Sequence, residues 1–168
     1  MKLAELNAEK TTITERKKVF LKGKEISDLC PISSQKVVAQ IKHSSEYWII
    51  DFNENEEQLL CKGFSKPIGK KGGQVGVGMH LIPNIPHPYI LTREVRGIGL
   101  LNPLTNRHVR LLDSPLFETM SSKKMGFIPN LEKGIEIIAL EQASETEMMY
   151  VRAELHKDLI KAMNKGEA

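Results

Sequence analysis

Aromatic residues make up only 5% of this 168-residue sequence, and no run approaches the ~18 consecutive apolar residues that a membrane-spanning helix needs. The scarcity of rings argues against a surface that grips single-stranded nucleic acid mainly by base stacking. Cysteine is equally sparse. Cys30 and Cys61 stand far apart with no CxxC spacing, which argues against a cysteine-based zinc site and a disulfide framework; free thiols in a reducing compartment are the expected state, with a single disulfide as the alternative. The opening Met1-Lys2-Leu3-Ala4-Glu5-Leu6 has an acid where a signal peptide needs an apolar core, so the expected location is the cytoplasm or a particle assembled there.

Catalytic and metal-binding signatures are also missing. His80 and His87 straddle Pro83 and Pro86 without an HxxxH or HExxH companion, so no metal or cofactor is expected. Neither cysteine sits in a nucleophile signature, and Glu54, Glu56 and Glu57 read as a solvated acidic turn. His108, between Arg107 and Val109, reads as an exposed histidine on a strand. No catalytic residue is assigned, and the chain is read as a non-enzyme unless distant residues assemble a site.

What the sequence does contain is one unusual segment. Residues 62–78 hold six of the twelve glycines and four lysines, with no acid. Glycine lets a backbone turn sharply or approach another surface closely, and the lysines give the segment a positive charge. It is not a phosphate loop. Gly63 and Gly69 are one residue too far apart for GxxxxGK, and Lys70 is followed by Lys71 where the metal-binding Ser or Thr should stand. GxGxxG also fails, because Gly76-Val77-Gly78 runs on into Met79-His80-Leu81.

At 40% hydrophobic, the chain can bury one ordinary core, and its formal net charge of +3 is too small to assign a nucleic-acid partner by itself. The reading is an N-terminal arm over 1–15 and a single domain over 16–168. The first ten residues carry Leu3, Leu6 and Ala8 at helical spacing. Beyond the arm, period-two alternation predicts strands around 37–41, 47–52 and 59–61 as antiparallel neighbours, and another over 75–82. The runs 89–101 and 108–112 flank Asn102-Pro103-Leu104-Thr105-Asn106 and predict a hairpin. Ser114-Pro115 marks a helix start, and 135–140 a further strand. Ser144-Glu145-Thr146-Glu147 predicts a capped helix from there to Gly166. The fold class is therefore α+β, a mainly antiparallel β-sheet or barrel-like domain with a C-terminal helix packed on it.

Three groups of residues are predicted to meet a partner: Lys62, Phe64, Lys66, Lys70 and Lys71 of the basic segment; Pro83, Ile85 and Pro86 of an apolar proline-rich loop; and Arg96 with Arg107, as a basic rim if they lie across the hairpin. The leading expectation is a non-catalytic structural or assembly subunit of a larger complex, such as a virion or phage particle component. Its arms would contact copies of itself or other subunits. The alternative is a nucleic-acid-binding β-barrel module using the basic segment. A small enzyme, or an inhibitor acting through a surface loop, is the second alternative.

Overall fold

The computed structural model describes residues 2–7, 12–42, 44, 46–64, 78–94, 97–113, 124–130, 134–142 and 148–168, with backbone alone before Lys18 and over 124–153. Its centre is a pair of antiparallel sheets. The first runs β3 (Ile26–Pro31), β4 (Lys36–Ile41), β5 (Glu46–Asp51) and β6 (Glu56–Lys62) in simple up-and-down order. The second comprises β7 (Met79–Leu81), β8 (Ile90–Glu94), β9 (Gly97–Asn102) and β10 (Arg107–Asp113), again with sequence neighbours paired. Tight turns make this order cheap. Asn55 and Asn106 take positive φ at the β5–β6 and β9–β10 turns, a conformation that asparagine tolerates better than other side-chain-bearing residues.

Alternation along each strand then builds three apolar layers. Cys30, Val38, Tyr47 and Leu60 of the first sheet meet Met79, Ile90 and Leu101 of the second, so the two sheets pack face to face. The far side of the first sheet, with Val37, Ala39, Ile41 and Ile50, is covered by Phe20 and Leu21. The far side of the second, with Tyr89, Leu91, Ile98 and Leu100, receives Leu155 and Met163 from the C-terminal segment. Among the described residues no closed barrel is formed, so the sheet form of the expected α+β fold is the correct one.

Two smaller sheets complete the described chain. β1 (Lys2–Asn7) pairs with β2 (Thr12–Val19), and β11 (Lys124–Asn130), β12 (Gly134–Gln142) and β13 (Met148–Glu154) form a three-stranded meander. The helical spacing of Leu3 and Leu6 is thus overridden by strand pairing, and the hairpin continues past residue 15.

The C-terminal helix is shorter than its sequence suggests. Helix α1 covers Lys157–Lys165, with the His156 side chain accepting from the Asp158 amide at the start. It stops where expected, at Gly166, whose φ of 75° lets the chain reverse while Gly166 N and Glu167 N donate to the Met163 and Ala162 carbonyls. Met148–Glu154 instead pairs along β12, from Gln142↔Met148 to Glu136↔Glu154. A ladder of tertiary hydrogen bonds outweighs the few tenths of a kcal/mol per residue that favour a helix there. The run 89–101 likewise folds into two strands, β8 and β9, before the predicted hairpin to β10. The helix start at Ser114-Pro115 lies outside the described residues.

Candidate functional site

The interior between the two main sheets changes character along its length. At the Ile90↔Leu101 level it is apolar. Two and four residues further along β8, the inward positions are Thr92 and Glu94, facing Gly99 and Gly97 on β9. A missing side chain on β9, at Gly99, makes the room. A methyl group placed on Gly99 would come within 2.5 Å of His108 Nε2 and 2.6 Å of Thr92 Oγ1, so glycine is required for the His108 ring to lie where it does. Gly63, just beyond β6, serves Glu94 the same way, since a methyl there would stand 2.8 Å from Glu94 Oε2.

These spaces hold a buried polar cluster drawn from both sheets. Tyr47 of β5 donates its hydroxyl to Glu94 Oε1 at 2.8 Å, and Gln40 of β4 donates to the Tyr47 oxygen at 3.0 Å. Thr92 Oγ1 lies 3.3 Å from the same Glu94 oxygen and 2.9 Å from His108 Nε2, which is itself 3.6 Å from Glu94. The side chains of His108 and Glu94 are each only 3% exposed. Such a network is costly unless satisfied, and it ties the sheets together by directional bonds where the other end uses apolar contact.

Phe64 closes the cluster. Its ring stacks on His108 with centroids 4.3 Å apart and planes at 29°, Arg110 lies 5.0 Å over the Phe64 ring, and Tyr47 meets His108 edge-on at 5.3 Å. One atom is left over: His108 Nδ1 is buried without a hydrogen-bond partner of standard geometry, although the Lys62 backbone is near enough to favour the charged ring. Burial pushes the His108 pKa below that of an ordinary imidazole, and the Glu94 charge only partly opposes it. Burial likewise raises Tyr47 well above its usual value, with the Glu94 charge adding to it.

The cysteines are poor nucleophiles in these surroundings. Burial pushes the Cys30 thiol up to about 11 and, with help from Glu94, the Cys61 thiol up to about 12, so both are protonated near neutral pH. Both are free thiols, as their spacing implied. Among the described residues no three His, Cys, Asp or Glu side chains group as a metal site, and no helix is long and apolar enough to cross a membrane.

The predicted contact residues scatter. Lys62 ends β6, exposed and paired with Glu46 in the ladder, while Phe64 is occupied by His108 and Arg110. Lys66, Lys70, Lys71 and Arg96 lie outside the described residues. Pro83, Ile85 and Pro86 occupy a closed turn, pinned by the Ile82 amide donating to the Tyr89 carbonyl at 2.8 Å, with Asn84 at positive φ. Ile85 packs inward against the helix-side core, and Pro86 is exposed. Arg107 stands opposite Asn102 at one end of the hairpin, while Gly97 pairs with Asp113 at the other.

Sequence reasoning missed His108, which is buried and not exposed, together with Glu94, Tyr47, Thr92 and the two glycines that make room for the cluster. The available signal was Gly99 within a strand, beside a lone acid in the run 89–101. A separate open groove of about 290 Å³ lies by the β9–β10 turn, where Lys36 and Asp51 form a 3.0 Å ion pair beside Leu104. No protein family, curated protein or solved structure matches this chain.

Proposed function

We propose that this protein is a non-catalytic assembly subunit, a spacer domain that joins copies of itself or other subunits through its peripheral β elements. The observation that carries the reading is the division of strands: five of the thirteen described lie in a two-stranded hairpin and a three-stranded meander separate from the central sheets. Two-stranded ribbons are marginal in water by themselves, and open strand edges invite pairing with another chain. The character of the buried cluster supports the same view. With His108 and Glu94 side chains 3% exposed and both thiols protonated, the most chemically suggestive residues are enclosed as structure and not offered to a substrate.

The nucleic-acid alternative loses some support, because Phe64, its one aromatic in the basic segment, is already stacked on His108. Light scattering after chromatography, on protein stripped of nucleic acid by nuclease and high salt, tests the proposal. The expected result is a defined oligomer that survives the salt, and that dissociates when residues 1–17 are deleted. A compact monomer at high concentration overturns it, and a monomer that arrives loaded with nucleic acid puts the binding module in its place.

A further inference from the structure

We propose that the Phe64–His108 stack is a pH-sensitive latch: protonation of the buried His108 ring releases Phe64 and Gly63 from the mouth of the sandwich. The proposal stands whether or not the protein assembles. Its basis is geometric. The ring is enclosed on each side, by Tyr47 from β5, by Thr92 and Glu94 from β8, by the Lys62 backbone at the end of β6 and by Phe64 with Arg110 beyond it. Among these groups Glu94 alone favours a charged imidazole by its charge. Arg110 is a cation across the Phe64 ring, Tyr47 is a neutral phenol, and the Cys61 thiol near Glu94 is protonated.

A neutral ring has one N–H and one lone pair. At Nε2 it exchanges a hydrogen bond with Thr92, and at Nδ1 it has no partner of standard geometry. Protonation puts a hydrogen on both nitrogens and a positive charge into a site from which water is excluded. Moving Phe64 aside is the least disruptive way to hydrate that charge. Every other neighbour is fixed within a sheet, whereas Gly63 and Phe64 follow the last residue of β6. Release therefore frees the chain where the glycine-lysine run begins.

The folded pKa is lowered, so the closed form binds fewer protons than the open one between the folded value and the ordinary value of about 6.5. The latch is accordingly fully closed above about pH 6.5 and weakens as pH falls through that window. Side-chain NMR of the wild-type protein reads both halves at once, through the His108 ring carbons and the cross-peaks between the Phe64 and His108 rings. The cross-peaks are expected to vanish over the same interval in which His108 titrates, with the methyl signals of Ile90 and Leu101 unchanged. Phe64→Ala is expected to move the His108 midpoint upward, toward about 6.5. Ring contacts that persist after His108 has fully titrated overturn the proposal. So does a His108 that titrates only with global unfolding, or a midpoint that Phe64→Ala leaves in place.

Discussion

The two ends of the space between the main sheets solve the same packing problem by opposite means. At one end Val38, Leu60, Ile90 and Leu101 fill it with hydrocarbon, which any similar volume would satisfy. At the other, Gln40, Tyr47, Thr92, Glu94 and His108 fill it with a connected polar network over two glycines. The apolar end supplies attraction without direction. The polar end works in one arrangement only: a one-residue slip of β8 would bring Leu91 and Arg93 inward in place of Thr92 and Glu94, leaving Tyr47 without its acceptor. Fixing the strand register is thus the structural work of the polar end.

Truncation at the apolar end should have the largest effect, because it removes buried hydrocarbon and leaves a cavity. Leu101→Ala, at a fully buried position, is expected to cost about 3 kcal/mol, read as a lower denaturation midpoint with an unchanged urea m-value. Overfilling the polar end comes next. Gly99→Ala drives a methyl into His108 and Thr92 and should cost about 2 kcal/mol, and unlike Leu101→Ala it should also abolish the Phe64–His108 ring contact. A Gly99→Ala protein with that contact intact would mean that the glycine does not set the ring position.

A smaller effect separates direction from volume. Tyr47→Phe keeps the ring in the apolar cluster and removes only the hydroxyl that Glu94 accepts from and Gln40 donates to. It should cost about 1.5 kcal/mol, and a double-mutant cycle with Glu94→Gln should be non-additive. Additive losses would show that the hydrogen bonds do not act as one network.

The position of strand β4 and the end of the helix were legible in the sequence and the polar end was not, for a physical reason. Val37, Ala39 and Ile41 alternate with Lys36, Gln40 and Lys42, and strand β4 lies where that pattern puts it, although those three line the outer face of the sheet, and Val38 and Gln40 are buried on the inner one. Gly166 likewise announced the end of the helix. These signals are local, set by side-chain period and backbone freedom. The cluster is a product of register between strands far apart in the chain, as with Tyr47 and Glu94, 47 residues apart. Polarity read position by position put His108 outside, because the space left by Gly99 on a neighbouring strand cannot be seen from its flanking residues. The overextended C-terminal helix erred for another reason: residues 144–147 of the capping box lie outside the described residues, and Met148–Glu154 pairs back onto the adjoining strand β12, which helical spacing alone does not reveal.

The least change of all should come from pH, and it bears on the comparison most directly. The one thiol of the hydrocarbon end, Cys30, is pushed up to about 11, so any pH dependence of the sandwich interior between neutral and mildly acidic conditions belongs to the polar end. His108 has a lowered folded pKa, so the unfolded chain takes up its proton first as pH falls from about 6.5, and stability declines with acidification through that window. Above it the neutral ring imposes no such penalty. Chemical denaturation of the wild type at a series of pH values should show this decline, and His108→Gln, which cannot titrate there, should reduce it while lowering stability at neutral pH, leaving the part due to His80, whose pKa burial also lowers. Leu101→Ala should shift the whole curve down and leave its slope unchanged. If His108→Gln and Leu101→Ala instead retain the same slope, the pH dependence arises elsewhere, and the two ends differ only in how they are packed.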